Sequence, residues 1–122
     1  MSYVPEFVAL YEIVPFIILV LDNESIRVAV KDYLKGGEKK VLIIKKYGKI
    51  EDWNTSEVTD MSKLFRCCYK FNEDISKWNV SKVTNMIGMF HKTKNFNQPI
   101  GKWDTSNVKV SIKTFPSGIR RM

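Results

Sequence analysis

The chain has 122 residues, of which 44% are hydrophobic and 27% charged, and it carries a formal net charge of +7. That length suits one domain with one core, and the composition excludes disordered and collagen-like chains. Its two cysteines, Cys67 and Cys68, are adjacent, which excludes a disulfide-stapled mini-domain, and nothing nearby completes a four-ligand zinc site.

The first element, FVALYEIVPFIILVL over 7–21, is apolar but shorter than the roughly 18 residues a bilayer span needs. Glu12 and Pro15 interrupt it, and it lacks both a basic leading region and a small-x-small cleavage site. It is read as a segment packing over the end of the domain, with a degenerate signal or anchor as the alternative. DNESIRVAVKDYLKGG then predicts a helix, with Asp22 or Asn23 as N-cap and Glu24 in the first turn. Ile26, Val30, Tyr33 and Leu34 form its apolar stripe, and Gly36–Gly37 stop it. EKKVLIIKKYG fits a second short helix ending at Gly48, with a strand over Val41–Ile44 as the alternative.

From Arg27 to Lys49, eight basic residues stand against Asp32 and Glu38 only. The plain reading is a solvated helical face, and the sharper one is contact with nucleic acid or acidic lipid.

From residue 50 the chain repeats itself. Trp53, Trp78 and Trp103 lie 25 residues apart. Ile50, Ile75 and Ile100 precede them by three, Ser56, Ser81 and Ser106 follow by three, Val58, Val83 and Val108 by five, and Phe65, Phe90 and Phe115 by twelve. Copies one and two also share Met61 with Met86, Phe71 with Phe96, and Asn72 with Asn97. The expected organisation is an apolar segment and helical cap over 1–49, then copies at 50–74 and 75–99 and a partial copy at 100–122.

Within a copy the period changes. Ile75, Trp78 and Val80 end in an i, i+2 alternation that predicts a short strand. Met86, Met89, Phe90 and Thr93 then fall at the spacing of a short helix, as do Met61, Leu64, Phe65 and Cys68. Thr59–Asp60 and Thr84–Asn85 precede these stripes as capping residues, and Cys68 is the small inward residue of its helix. One strand plus one short helix per 25 residues predicts an α/β repeat solenoid, in which stacking makes the core continuous. That core takes Ile50, Trp53, Val58, Met61, Leu64, Phe65 and Phe71 from copy one. It takes Ile75, Trp78, Val83, Met86, Met89, Phe90 and Phe96 from copy two, and Ile100, Trp103, Val108 and Phe115 from copy three. Tryptophans form one column and phenylalanines another, while Asn72 and Asn97 make a short ladder at a bend. In copy three, Val108, Val110 and Ile112 alternate as a strand with lysines between, and Pro116 and Gly118 break it. This is either a terminal cap or a truncated array.

The strings WNTSEVTDMSKLF and WNVSKVTNMIGMFHKTKNFNQPIGKWDTSNV resemble the BspA-type leucine-rich-like surface repeats, also filed as a domain of unknown function. The family pattern runs I-x-x-W-(D/N)-(T/V)-S-x-V-T-(D/N)-M-S-x-(M/L)-F, and residues 50–108 follow it. The upstream SIRVAVKDYLKGGEKKVLIIKKYGKIEDW is similar to the lead-in of giant-virus (Mimivirus-like) members. The resemblance implies a protein-interaction or adhesion module with no catalytic residues to transfer and no cofactor. With two neighbouring thiols read as packing residues, it places the chain in a reducing compartment, host cytoplasm or virion, with a surface location as the alternative.

The residues by themselves offer no catalytic constellation. His91, the only histidine, lies outward beside the position of Arg66 in the other copy, and Asp52, Asp60, Glu73 and Asp74 form no acid/base pair. Asn23, Asn54 and Asn79 match the glycosylation sequon, two of them through the repeat itself. The leading expectation is a non-enzymatic protein-interaction module, monomeric or stacking on its own copies. Its variable exposed positions are Glu51/Ser76, Asp52/Lys77 and Glu57/Lys82, with Asn107 continuing the last column. The alternatives are nucleic-acid binding through Lys39, Lys40, Lys45, Lys46 and Lys49, and a membrane-associated adhesin.

Overall fold

The computed structural model describes residues 19–110, so most of the apolar stretch 7–21 lies outside the described residues, as do Ile112 and Phe115. Two helices come first, α1 (Ser25–Lys35) and α2 (Gly37–Tyr47), followed by a 3-10 turn at Ile50–Asp52. Helix α1 starts where Asp22 can satisfy its free N–H groups. The Asp22 carboxylate accepts from the backbone N–H of Ser25 at 2.8 Å and of Glu24 at 3.1 Å. Ser25 reciprocates, its hydroxyl accepting from the Asp22 N–H at 2.8 Å, so the two ends of the turn cap each other. Glu24 therefore stands before the helix and not in its first turn. Gly36 and Gly37, at φ 75° and 60°, make the corner into α2. The lysine-rich string after it is helical through Tyr47, which rules out the strand at Val41–Ile44.

The α/β strand-and-helix solenoid expected from the period change is not what the chain forms. Among the described residues there is no strand, and the copies contain no helix beyond the 3-10 turn that opens copy one. Isolated parallel bridges at Val20–Asn54, Asp60–Asn85 and Asn85–Val110 are the only β pairings described. Each copy is a run of tight turns. In copy one, the N–H groups of Leu64, Arg66 and Cys68 donate back to the carbonyls of Met61, Lys63 and Phe65 at 3.0–3.3 Å. The alternate N–H groups, of Met61, Lys63, Phe65 and Cys67, donate across to Asn85, Ile87, Met89 and His91 at 2.8–2.9 Å. An α-helix would send all of them four residues back. It would also forbid the positive φ angles of Lys63 (56°) and Cys67 (60°), repeated one copy later at Gly88 (65°) and Lys92 (59°). Two turns in succession place Met61, Leu64, Phe65 and Cys68 on one side, and that spacing imitates a helical stripe.

The half of each copy expected to be a strand is also turned. Trp78 N–H donates to the Ile75 carbonyl at 3.1 Å and Val83 N–H to Val80 at 3.0 Å, with the same bonds in the other copies. Asn79 and its equivalents prescribe this. The Asn79 side-chain oxygen accepts from the Ser81 N–H at 3.0 Å and hydroxyl at 2.7 Å, as Asn54 does from Ser56 and Asp104 from Ser106. A short polar side chain that bonds the backbone two residues on closes a turn and competes with an extended ladder.

Successive copies lie directly on one another. Trp53 and Trp78 stack with ring centroids 5.8 Å apart, Phe65 and Phe90 at 5.9 Å, and Phe71 and Phe96 at 5.6 Å, all within 15° of parallel. Trp103 sits against Phe90 at 6.3 Å. Each indole also reaches backward, Trp78 Nε1 donating to the Ile50 carbonyl at 2.7 Å and Trp103 Nε1 to Ile75 at 3.1 Å. That is why isoleucine and tryptophan travel together: the isoleucine of one copy supplies the acceptor for the tryptophan of the next. Ile50 through Trp103 of the core set are buried, and Val108 packs partly buried against them. Ile26, Ala29, Val30 and Tyr33 of α1, and Ile43 and Tyr47 of α2, close the same core over copy one.

Candidate interaction surface

Regular turns leave the residues between core positions pointing outward. Glu51, Asp52, Glu57, Lys77, Lys82 and Asn107 are all exposed, but they do not form one free column. Lys82 Nζ pairs with Glu57 Oε2 at 3.2 Å, one copy to the next. Asn107 Nδ2 donates to the Ser81 carbonyl at 2.6 Å. The change from acidic to basic along this column is therefore a contact between copies, worth little as an exposed ion pair. Glu51, Asp52 and Lys77 lie apart from that pair on the segments that begin copies one and two.

The basic segment 27–49 is partly engaged as well. Arg27 donates to the Ser62 carbonyl at 2.8 Å and pairs with Asp60 at 3.3 Å, tying α1 to copy one. Lys40 lies over the Tyr33 ring at 4.7 Å and Lys46 over Tyr47 at 5.5 Å.

Cys67 is exposed and Cys68 half-buried, and both are free thiols. Burial, with the neighbouring Cys67 adding to it, pushes the Cys68 thiol up, away from the reactive thiolate. His91 is exposed. Among the described residues, no group of three His, Cys, Asp or Glu is placed to hold a metal ion. No described helix is long and apolar enough to cross a membrane.

The carboxylates do have a shared environment, which the sequence announces only through an Asp two or three residues before a Ser. The Ser76 hydroxyl and N–H hold Asp74 below the usual carboxylate range, and Ser106 does the same to Asp104. The Ser25 backbone and hydroxyl lower Asp22. At Asp60 burial pushes upward, but the Ser62 N–H and hydroxyl and the Arg27 guanidinium together leave it lowered. A carboxyl lowered in the folded state contributes stability that is complete above its unfolded value, about 3.9 for Asp, and lost as pH falls through the folded value. The urea midpoint should hold level from about pH 7 to 5 and decline below about pH 4. Asn54, Asn79 and Asn85 close the same turns without titrating. Asp74→Asn with Asp104→Asn should therefore flatten part of that decline and lower the neutral-pH midpoint slightly, since the amide accepts the same bonds without the charge. An unchanged acid slope would disprove the assignment.

One family description matches the chain: "Mycoplasma protein of unknown function, DUF285", over residues 39–118. That span begins inside α2 and takes in the stacked copies. No curated protein and no solved structure matches the chain.

Proposed function

We propose a function from one premise: the chain belongs to the DUF285 family. On that premise the protein acts as a non-enzymatic, repeat-type module that binds another protein by surface contact. The observation supporting this is how the repeated side chains are employed. Those recurring every 25 residues pack inward or bond the backbone of a neighbouring turn, as Trp78 does to Ile50 and Trp103 does to Ile75. Glu51, Asp52 and Lys77, at positions that differ between copies, lie on the outside and can change without disturbing the stack. A reducing compartment, with a surface location as the alternative, and kinship with giant-virus members through residues 25–53 belong to this proposal through sequence resemblance alone.

The test compares the full chain with a Glu51→Lys, Asp52→Lys, Lys77→Glu variant, after melts have shown both equally folded. Each is immobilised, and the proteins retained from the producing cells are identified by mass spectrometry. Specific loss of one retained protein with the variant supports binding through this face. An identical set on both counts against it.

A further inference from the structure

We infer that the turn edge of the stack is a docking surface for single-stranded nucleic acid, at a site distinct from the basic helices. Segments 61–71 and 86–96 contain Lys63, Arg66, Lys70, Lys92 and Lys94 and no Asp or Glu. Backbone bonds lay the two segments side by side: Lys63 N–H to the Ile87 carbonyl at 2.9 Å, Cys67 to His91 at 2.8 Å, and Asn95 to Tyr69 at 3.2 Å. The five cations thus share one edge, and all are exposed. Lys63 reaches to the next copy, where a Cβ on Gly88 would stand 3.3 Å from its Cγ. Among the described residues the ion pairs are Arg27–Asp60 and Lys82–Glu57, so this edge retains its charge. The acids of copy one, Glu51, Asp52, Glu57, Asp60, Glu73 and Asp74, all fall outside these segments.

Charge of one sign attracts any polyanion. The selection of a single strand comes from Tyr69. Its ring is 51% exposed in the middle of the edge. It lines an open groove of about 570 Å³ with Leu34, Cys68, Lys70, Phe71, Asn72 and Glu73. An exposed ring beside cations offers a platform on which an unpaired base stacks while its phosphates meet the lysines. A duplex keeps its base faces covered, and a layer of acidic headgroups has no planar group to place in the groove.

The full chain is titrated into a labelled oligo-dT probe by fluorescence anisotropy at increasing salt. Three to five neutralised phosphates predict a slope of log K against log salt of about −2 to −3.5. Arg66→Glu with Lys92→Glu should weaken binding by at least about tenfold, whereas Lys39→Glu with Lys45→Glu on α2 should change it less than about twofold. Because reversals can unsettle a small fold, Lys70→Gln with Lys94→Gln serves as a milder pair and should lose affinity in the same direction. Tyr69→Ala should cost about tenfold without altering the salt slope, since it removes stacking and no charge. The inference is overturned by no binding at low salt or by equal effects from the edge and helix pairs. Full affinity in Tyr69→Ala, or equally strong competition by duplex DNA or phosphatidylserine vesicles, overturns it too.

Discussion

Replacing Trp78 with alanine is expected to destabilise the fold by about 3–5 kcal/mol, the range for emptying a buried aromatic site. Trp78 is 3% exposed and packs on the Trp53 and Phe65 rings of copy one, each at 5.8 Å. Its loss opens a cavity in the middle of the stack, where the copies on either side are held by their own turns and cannot collapse into it. It also removes the indole donor to the Ile50 carbonyl, leaving that buried acceptor only the 3.4 Å bond from the Trp53 N–H. At roughly 4 °C per kcal/mol for a domain of this size, the melting temperature should fall by about 12–20 °C. Trp78→Phe separates the two causes, retaining a stacked ring and losing the bond, and should cost about 1–3 kcal/mol. If urea unfolding places the alanine variant within about 1 kcal/mol of the parent, the column is not what holds the copies together.

The residues that fill the core were legible because a column of identical side chains leaves an identical spacing. Trp53, Trp78 and Trp103, and Phe65 and Phe90, announce that 25-residue units repeat. The local conformation was not legible, for two physical reasons. First, Met61, Leu64, Phe65 and Cys68 carry the i, i+3, i+4, i+7 signature of a helix, and successive tight turns generate the same pattern. The contrary signal was present in Lys63 and Gly88 at one repeat position, a place where one copy uses glycine for a positive φ. Secondly, the alternation of Ile75, Trp78 and Val80 suggests a strand, yet Asn79 bonds Ser81 and closes a turn. An Asn or Asp two residues before each Ser was the readable sign of that.

The variable surface is legible only when successive copies are placed on one another. Glu57 and Lys82 occupy one position in successive copies, so in a stack they are neighbours, and their opposite charges pair. Residues that vary between copies therefore need comparison down the column before being assigned to a partner. The same comparison applied to Arg66 with His91, and to Cys67 with Lys92, finds no acid in those columns. That difference separates a self-satisfied face from one still able to attract a ligand.

Removing residues 1–49 should abolish cooperative folding of the remaining copies, because the region before copy one imitates the copy that is not there. Between true copies, the Thr84 N–H donates to the Thr59 carbonyl and the Lys109 N–H to Thr84. Copy one has no such predecessor, and the Asn23 side-chain oxygen takes its place, accepting from the Thr59 N–H at 2.8 Å and from Asp60 at 3.1 Å. The Gly48 carbonyl likewise stands in for the missing isoleucine acceptor, receiving Trp53 Nε1 at 2.8 Å. The Leu21 N–H donates to the Asn54 carbonyl, filling an acceptor that the Thr55 hydroxyl fills at Asn79 one copy later. Without these groups Trp53, Val58, Met61 and Phe65 lose the cover of Ile26, Val30, Tyr33 and Ile43, and a single exposed coil cannot hold its apolar face. A chain of residues 50–122 should show no sigmoidal melt by circular dichroism. Asn23→Ala in the full chain should cost about 1 kcal/mol by leaving two N–H groups to water. If residues 50–122 melt cooperatively near the temperature of the whole chain, the copies are self-sufficient and α1 and α2 serve some purpose other than closing the stack.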